Sequence, residues 1–149
     1  MSVDIEEQYD KIYRYCYFRL KHRQQAEDIT QETFLRFFES SYRDAGRPLA
    51  YLYTIARNLC IDEFRRGYPE ELNEEIPQEG FEDALVQNLS LHRAIEELSK
   101  EEQELLLLRF VNDVSFGDLS RLYGRSRFAL RRELMKITDK LERRLSDEL

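Results

Sequence analysis

From Gly67 to Ser90 the helical repeat that runs through the rest of the chain breaks off, because Gly67, Pro69, Pro77 and Gly80 interrupt it. Glu70, Glu71, Glu74, Glu75, Glu79, Glu82 and Asp83 charge this stretch without one Lys or Arg. So acidic a segment cannot bury enough apolar surface to order itself, and it reads as a flexible tether, with a short amphipathic piece around Phe81 to Leu89 able to dock locally. The 149 residues therefore divide into two blocks. The expected architecture is all-α, with small helical domains at residues 1–67 and 91–149 joined by an acidic linker at 68–90.

Both blocks carry apolar residues at spacings of three and four. In the first, Ile5, Tyr9, Ile12 and Cys16 share a stripe that Tyr13, Tyr17 and Leu20 widen. After a polar turn at His22 to Gln25, a second helix is expected to turn Ala26, Ile29, Thr33 and Phe37 inward with Phe34 and Phe38 beside them. A third begins near Pro48, a residue suited to the first helical position, and buries Leu49, Leu52, Ile55, Ala56 and Leu59. In the second block Leu91, Ile95 and Leu98 lead to a capping box at Ser99 and Glu102, and Leu105 to Leu108 bury with Phe110 and Val111 before a break at Asn112-Asp113. No alternating β-branched run of useful length appears, which argues against a sheet.

The end of the chain concentrates charge. Ser115 paired with Asp118 opens a short helix, Gly124 supplies a tight turn, and a long helix follows whose apolar side is Leu130, Leu134, Ile137, Leu141 and Leu145. From Arg121 to Arg144 nine cations face three anions, a surplus of six in a molecule of net charge −7. Such segregation suits a phosphate-binding helix-turn-helix, although arginines on a long helix also serve as plain solubilising charge.

Several function classes find no support. There is no nucleophile beside a base, no paired-carboxylate constellation and no phosphate-cradling glycine loop, so the chain is not expected to be an enzyme. Cys16 and Cys60 form no C-x-x-C pair and read as reduced core residues, while His22 and His92 are isolated, so neither metal nor cofactor is expected. No apolar run approaches the roughly 20 residues of a membrane span, and the acidic, polar start is unlike a signal peptide, so a cytoplasmic protein is expected.

Three stretches together resemble the extracytoplasmic-function sigma factors of RNA polymerase, the small sigma-70 class that keeps only regions two and four. Ala26 to Phe38 (AEDITQETFLRFF) is similar to that family's region 2.2, Pro48 to Arg66 (PLAYLYTIARNLCIDEFRR) to its regions 2.3 and 2.4, and the terminal helix-turn-helix to its region 4.2. The resemblance implies that Asp28, Gln31, Glu32 and Arg36 face the coiled coil of the polymerase β′ clamp, although a solvated charged face is what any amphipathic helix has outside. Tyr51, Tyr53, Arg57, Asn58, Asp62, Arg65 and Arg66 lie off the main apolar stripe of the third helix, and aromatics among cations suit single-stranded DNA, though tyrosines at these spacings also pad cores. By resemblance this helix and the loop from Tyr42 to Arg47 capture the melted minus ten strand, with Tyr51 standing where the family carries tryptophan.

For the minus thirty-five element the implied residues are Arg127, Phe128, Ala129, Arg131 and Arg132 of the helix opening at Ser126, with Arg125 and Lys136 on backbone phosphates. The family commonly has a small residue at Phe128, threonine at Ala129 and arginine at Glu133. The implied activity is that of a dissociable initiation factor that binds core RNA polymerase and promoter DNA, aids strand opening and is held by an anti-sigma partner. Two alternatives stay open: a dimeric helix-turn-helix regulator that never acts as a sigma subunit, and a degenerate sigma-like interaction module.

Overall fold

The structure is a computed structural model that describes residues 4–40, 46–66 and 89–147, and every element among them is helical. The chain separates into two compact units, Met1–Glu75 and Ile76–Leu149. Residues 68–88, most of the acidic linker, and 41–45, most of the loop before Pro48, lie outside the described residues.

The first unit packs α1 (Ile5–Leu20), α2 (Arg23–Glu39) and α3 (Pro48–Arg66) pairwise against one another. Asp4 caps α1 by accepting from the Glu7 N–H at 3.2 Å, and Lys21 ends it in the left-handed region at φ 57° with its N–H returned to the Tyr17 carbonyl. A two-residue turn suffices because the Nδ1 of His22 accepts from the Gln25 N–H at 3.2 Å, a side-chain cap that starts α2 at Arg23 rather than after Gln25. The core is Ile12, Tyr15, Cys16 and Leu20 of α1 against Ala26, Thr30, Thr33 and Phe34 of α2 and Ala50, Leu52, Tyr53, Ala56 and Cys60 of α3. Burial of Thr30 and Thr33 is tolerated because each hydroxyl donates to the carbonyl four residues back, at 2.6 Å. Both cysteines are buried and unbonded to each other, as expected.

Two departures from the expected stripes bear on function. Ile5 and Phe38 face solvent, whereas Tyr15 and Tyr53 meet edge to face in the core with ring centroids 5.8 Å apart. Leu49, Ile55 and Phe37 are only half-buried.

The second unit contains α4 (Leu89–Glu96), α5 (Lys100–Leu106), α6 (Phe116–Tyr123) and α7 (Arg127–Asp147), with α4, α5 and α6 each packed on α7. Ser99 and Glu102 form the expected reciprocal capping box. After α5 the backbone widens into a π-helical turn, Leu107–Val111, with the Asn112 N–H bonded to the Leu107 carbonyl at 2.9 Å. Leu105 to Leu108 are buried, but Phe110 is 61% exposed: the periodicity that pairs it with Leu106 assumes an unbroken α-helix, and the π turn ends that register. The break predicted at Asn112-Asp113 is present, with Asp113 at φ 55° and Asn112 buried. Leu119, Leu130, Leu134 and Ile137 complete the core. Among the described residues no helix is long and apolar enough to cross a membrane.

Candidate functional site

Three outward helix faces hold the residues singled out from the sequence. On α2, burial of Ile29, Thr30, Thr33 and Phe34 turns Asp28, Gln31 and Arg36 to solvent and leaves Glu32 half-buried beside them. The face is organised along the helix: Gln24 donates to Asp28 at 3.0 Å, Gln31 to Glu27 at 3.3 Å and Arg36 to Glu32 at 2.8 Å. Sequence reasoning missed two members. Leu35 is 53% and Phe38 59% exposed, and with Gln24, Asp28 and Gln31 they make one ridge spaced four, three, four and three. That is the seam spacing of helices that pack on a coiled coil. The signal was in the sequence, since Leu35 lies across the helix from Ile29, Thr33 and Phe37.

On α3, Tyr51, Asn58, Asp62 and Arg65 fall within an arc of about 60° on the side away from the core. Asn58, Asp62, Arg65 and Arg66 are exposed, and Tyr51 and Arg57 are half-buried. Arg66 pairs with Glu63 at 3.7 Å, and the Tyr51 ring lies 6.0 Å from Phe37, tilted by 40°. Tyr53 is a correction: it lies on the buried stripe, 1% exposed against Tyr15, so its ring meets no nucleobase in this packing. The tyrosines are two positions apart, about 200° around the helix, and cannot both face outward. Phe64, 59% exposed beside Arg65 and Arg66, was also missed.

The third face belongs to the helix-turn-helix. Ser115 caps α6 by accepting from the Asp118 N–H at 3.1 Å, and Gly124 ends it at φ 67°, where any L-residue is strained. Ser126 then accepts from the Ala129 N–H at 3.0 Å, so its hydroxyl serves as the cap of α7. Arg127, Arg131, Arg132 and Lys136 are exposed, Phe128 is 70% exposed, and Ala129 and Glu133 are half-buried. Two ring contacts steady the arginines, with the guanidinium of Arg132 5.1 Å above Phe128 and that of Arg131 4.9 Å above Phe116. Arg109, bonded to the Val114 carbonyl at 3.0 Å, lies 4.5 Å above the same Phe116 ring.

The charge surplus of this segment is smaller in three dimensions than along the chain. Arg125 pairs with Glu101 at 2.6 Å, Lys140 with Glu102 at 2.7 Å and Arg144 with Glu97 at 2.7 Å. Lys140, by a side-chain hydrogen bond, and then the Ser99 backbone N–H hold the Glu102 carboxyl below the usual carboxylate range. All three acids precede the arginine-rich segment in the chain.

The family described as Sigma-70 region 2 matches residues 5–68. The ECF RNA polymerase sigma factor BldN of Streptomyces coelicolor is 33% identical over 152 residues, which span 93% of this chain and 58% of that protein. The ECF RNA polymerase sigma factor SigW of Bacillus subtilis is 29% identical over 157 residues, spanning 84% of this chain and 83% of SigW. In fold the chain is similar to the sigma factor RpoE of Bartonella quintana, solved with the anti-sigma factor NepR, at a TM-score of 0.68 and 17% identity over 96% of this chain and 94% of that one. Residues 5–68 thus carry a Sigma-70 region 2 domain, and over most of its length the chain is similar to extracytoplasmic-function sigma factors of the sigma-70 family, while spanning little more than half of BldN.

Proposed function

We propose that the chain is the dissociable initiation subunit of a bacterial RNA polymerase, that residues 1–67 dock on the β′ clamp coiled coil and hold the opened minus ten strand, and that residues 91–149 read the minus thirty-five element. The observation that carries this reading is the α2 ridge, where Asp28, Gln31, Leu35 and Phe38 stand clear of the core at coiled-coil spacing on a chain similar to these sigma factors. The ridge supplies two apolar anchors and an acidic flank to a partner helix pair. On α3, Tyr51 offers a ring for one unstacked base, worth about 1–3 kcal/mol, while Asn58, Arg57, Arg65 and Arg66 contact strand edges and phosphates. Arg127, Arg131 and Arg132 enter the major groove, with Lys136 on the phosphates beside it.

An overall acidic protein with small basic surfaces binds free DNA weakly, so most promoter affinity comes from the polymerase. An inhibitor of the anti-sigma class, such as the one RpoE is solved with, acts on this chain by covering the same α2 and α7 faces. Neither a dimeric regulator nor a degenerate interaction module is favoured by the relatives.

The test is reconstitution with bacterial core polymerase on a pool of genomic promoters, with specific start sites as the readout. Charge reversal at Asp28 and Glu32 is expected to abolish polymerase binding with the helical fold intact, and Arg131→Ala with Arg132→Ala to spare polymerase binding but lose upstream recognition. If both double variants initiate like wild type, the assignment fails.

A further inference from the structure

Phe128 is the most exposed large apolar side chain among the described residues, 70% open to solvent at the second position of α7. Packing does not explain it, because Leu130, Leu134 and Ile137 bury the opposite side of the same helix. One ridge further, at i+7, Met135 is 65% exposed, so a short apolar strip runs down the outward face. Cations frame the strip: Arg127, Arg131 and Lys136 are exposed around it, and Arg132 is drawn over the Phe128 ring at 5.1 Å. An apolar strip within a basic frame fits a surface with an apolar floor and anionic walls. The major groove of duplex DNA is such a surface wherever a thymine places its 5-methyl group between the two phosphate backbones.

We infer that Phe128 reads the methyl group of a thymine in the upstream promoter element, with Arg132 held on its ring so that the guanidinium lies toward the neighbouring phosphate or base edge. This inference rests on the proposed minus thirty-five reading of α7 and adds the base feature that reading leaves open. A small side chain at this position leaves the methyl uncovered, whereas a phenyl ring covers it. Covering one methyl-sized group is worth about fourfold in affinity.

The experiment uses the full chain bound to core polymerase. Upstream duplexes are first enriched from a random pool by the wild-type holoenzyme, and the enriched duplex is then resynthesised with deoxyuridine replacing one thymidine at a time, a change that deletes the 5-methyl group alone. Competition binding is expected to show a loss of about fourfold at one position for wild type. Phe128→Ala, which removes no core contact, should bind the thymine and uracil duplexes equally at that position. The inference is overturned if wild type is indifferent to every methyl deletion, or if Phe128→Ala keeps the same methyl dependence. It is also overturned if Phe128→Ala loses affinity for core polymerase in the absence of DNA, since the ring then faces protein. Failure of the wild-type holoenzyme to enrich any upstream sequence refutes the minus thirty-five reading itself.

Discussion

Leu35→Ala tests the α2 ridge at its apolar centre. Leu35 is 53% exposed in the free chain, so docking on a partner helix pair can bury only about half of the side chain. Full burial of leucine is worth about 1.5–3 kcal/mol, and half of that range is about 0.8–1.5 kcal/mol. The expected outcome is a four- to twelvefold higher Kd for core polymerase. Fold stability should hardly change, because the side chain lies off the core and alanine is the strongest helix former. The assay is equilibrium binding of labelled chain to core polymerase, with thermal unfolding as the companion measurement. Phe64→Ala is the control: Phe64 is similarly exposed at 59% but stands on α3, and its removal should leave polymerase affinity unaltered. Equal effects of the two variants, or none from Leu35→Ala, would refute the claim that the ridge is the docking seam.

The α3 tyrosines should separate stability from strand opening. Tyr53→Ala opens a core cavity and is expected to cost about 3–5 kcal/mol in chemical denaturation, whereas Tyr51→Ala should cost far less stability and slow open-complex formation on duplex but not on pre-melted promoters. Glu101→Gln releases Arg125 from its 2.6 Å partner, so DNA binding by the holoenzyme should tighten and its log–log salt slope steepen by about one unit. The depressed carboxyl of Glu102 contributes stability that is present above its unfolded pKa and lost as pH falls through the lower folded value. Acid unfolding of the full chain should therefore show a stability loss at low pH that Glu102→Gln flattens, measured by denaturant midpoints across pH 2 to 6, roughly the span of carboxylate titration.

What could be read from the sequence was whatever depends on neighbours three or four residues away. The capping box at Ser99, the Ser115 cap, the start of α3 at Pro48, the turn at Gly124 and the burial of Ile12, Cys16 and Leu20 on α1 and of Leu130, Leu134 and Ile137 on α7 all follow from local spacing, and the structure carries each of them. Contacts between helices, and a change of helical geometry, were not legible in that way. Tyr53 looks like a surface aromatic until α3 packs on α1 and its ring meets Tyr15 edge to face, and Phe110 looks buried until the π turn shifts its register. His22 reads from the sequence as part of a polar turn, yet its Nδ1 does the work of a serine oxygen at the start of α2.

The arginine-rich end of the chain shows why counting charge along a sequence overstates what a partner meets. Arg125, Lys140 and Arg144 are held by Glu101, Glu102 and Glu97, which tie the front of the second unit to its turn and its last helix. Each pair is exposed enough that its stability contribution is modest, about 0–1 kcal/mol, yet each removes a cation from the phosphate-facing set. The cations that remain exposed near the helix start, Arg127, Arg131, Arg132 and Lys136, are those clustered around Phe128. Three of the nine cations are thus held by acids and four stand together around Phe128 at the start of α7, and a salt slope nearer to four than to nine is the expected signature of upstream promoter binding.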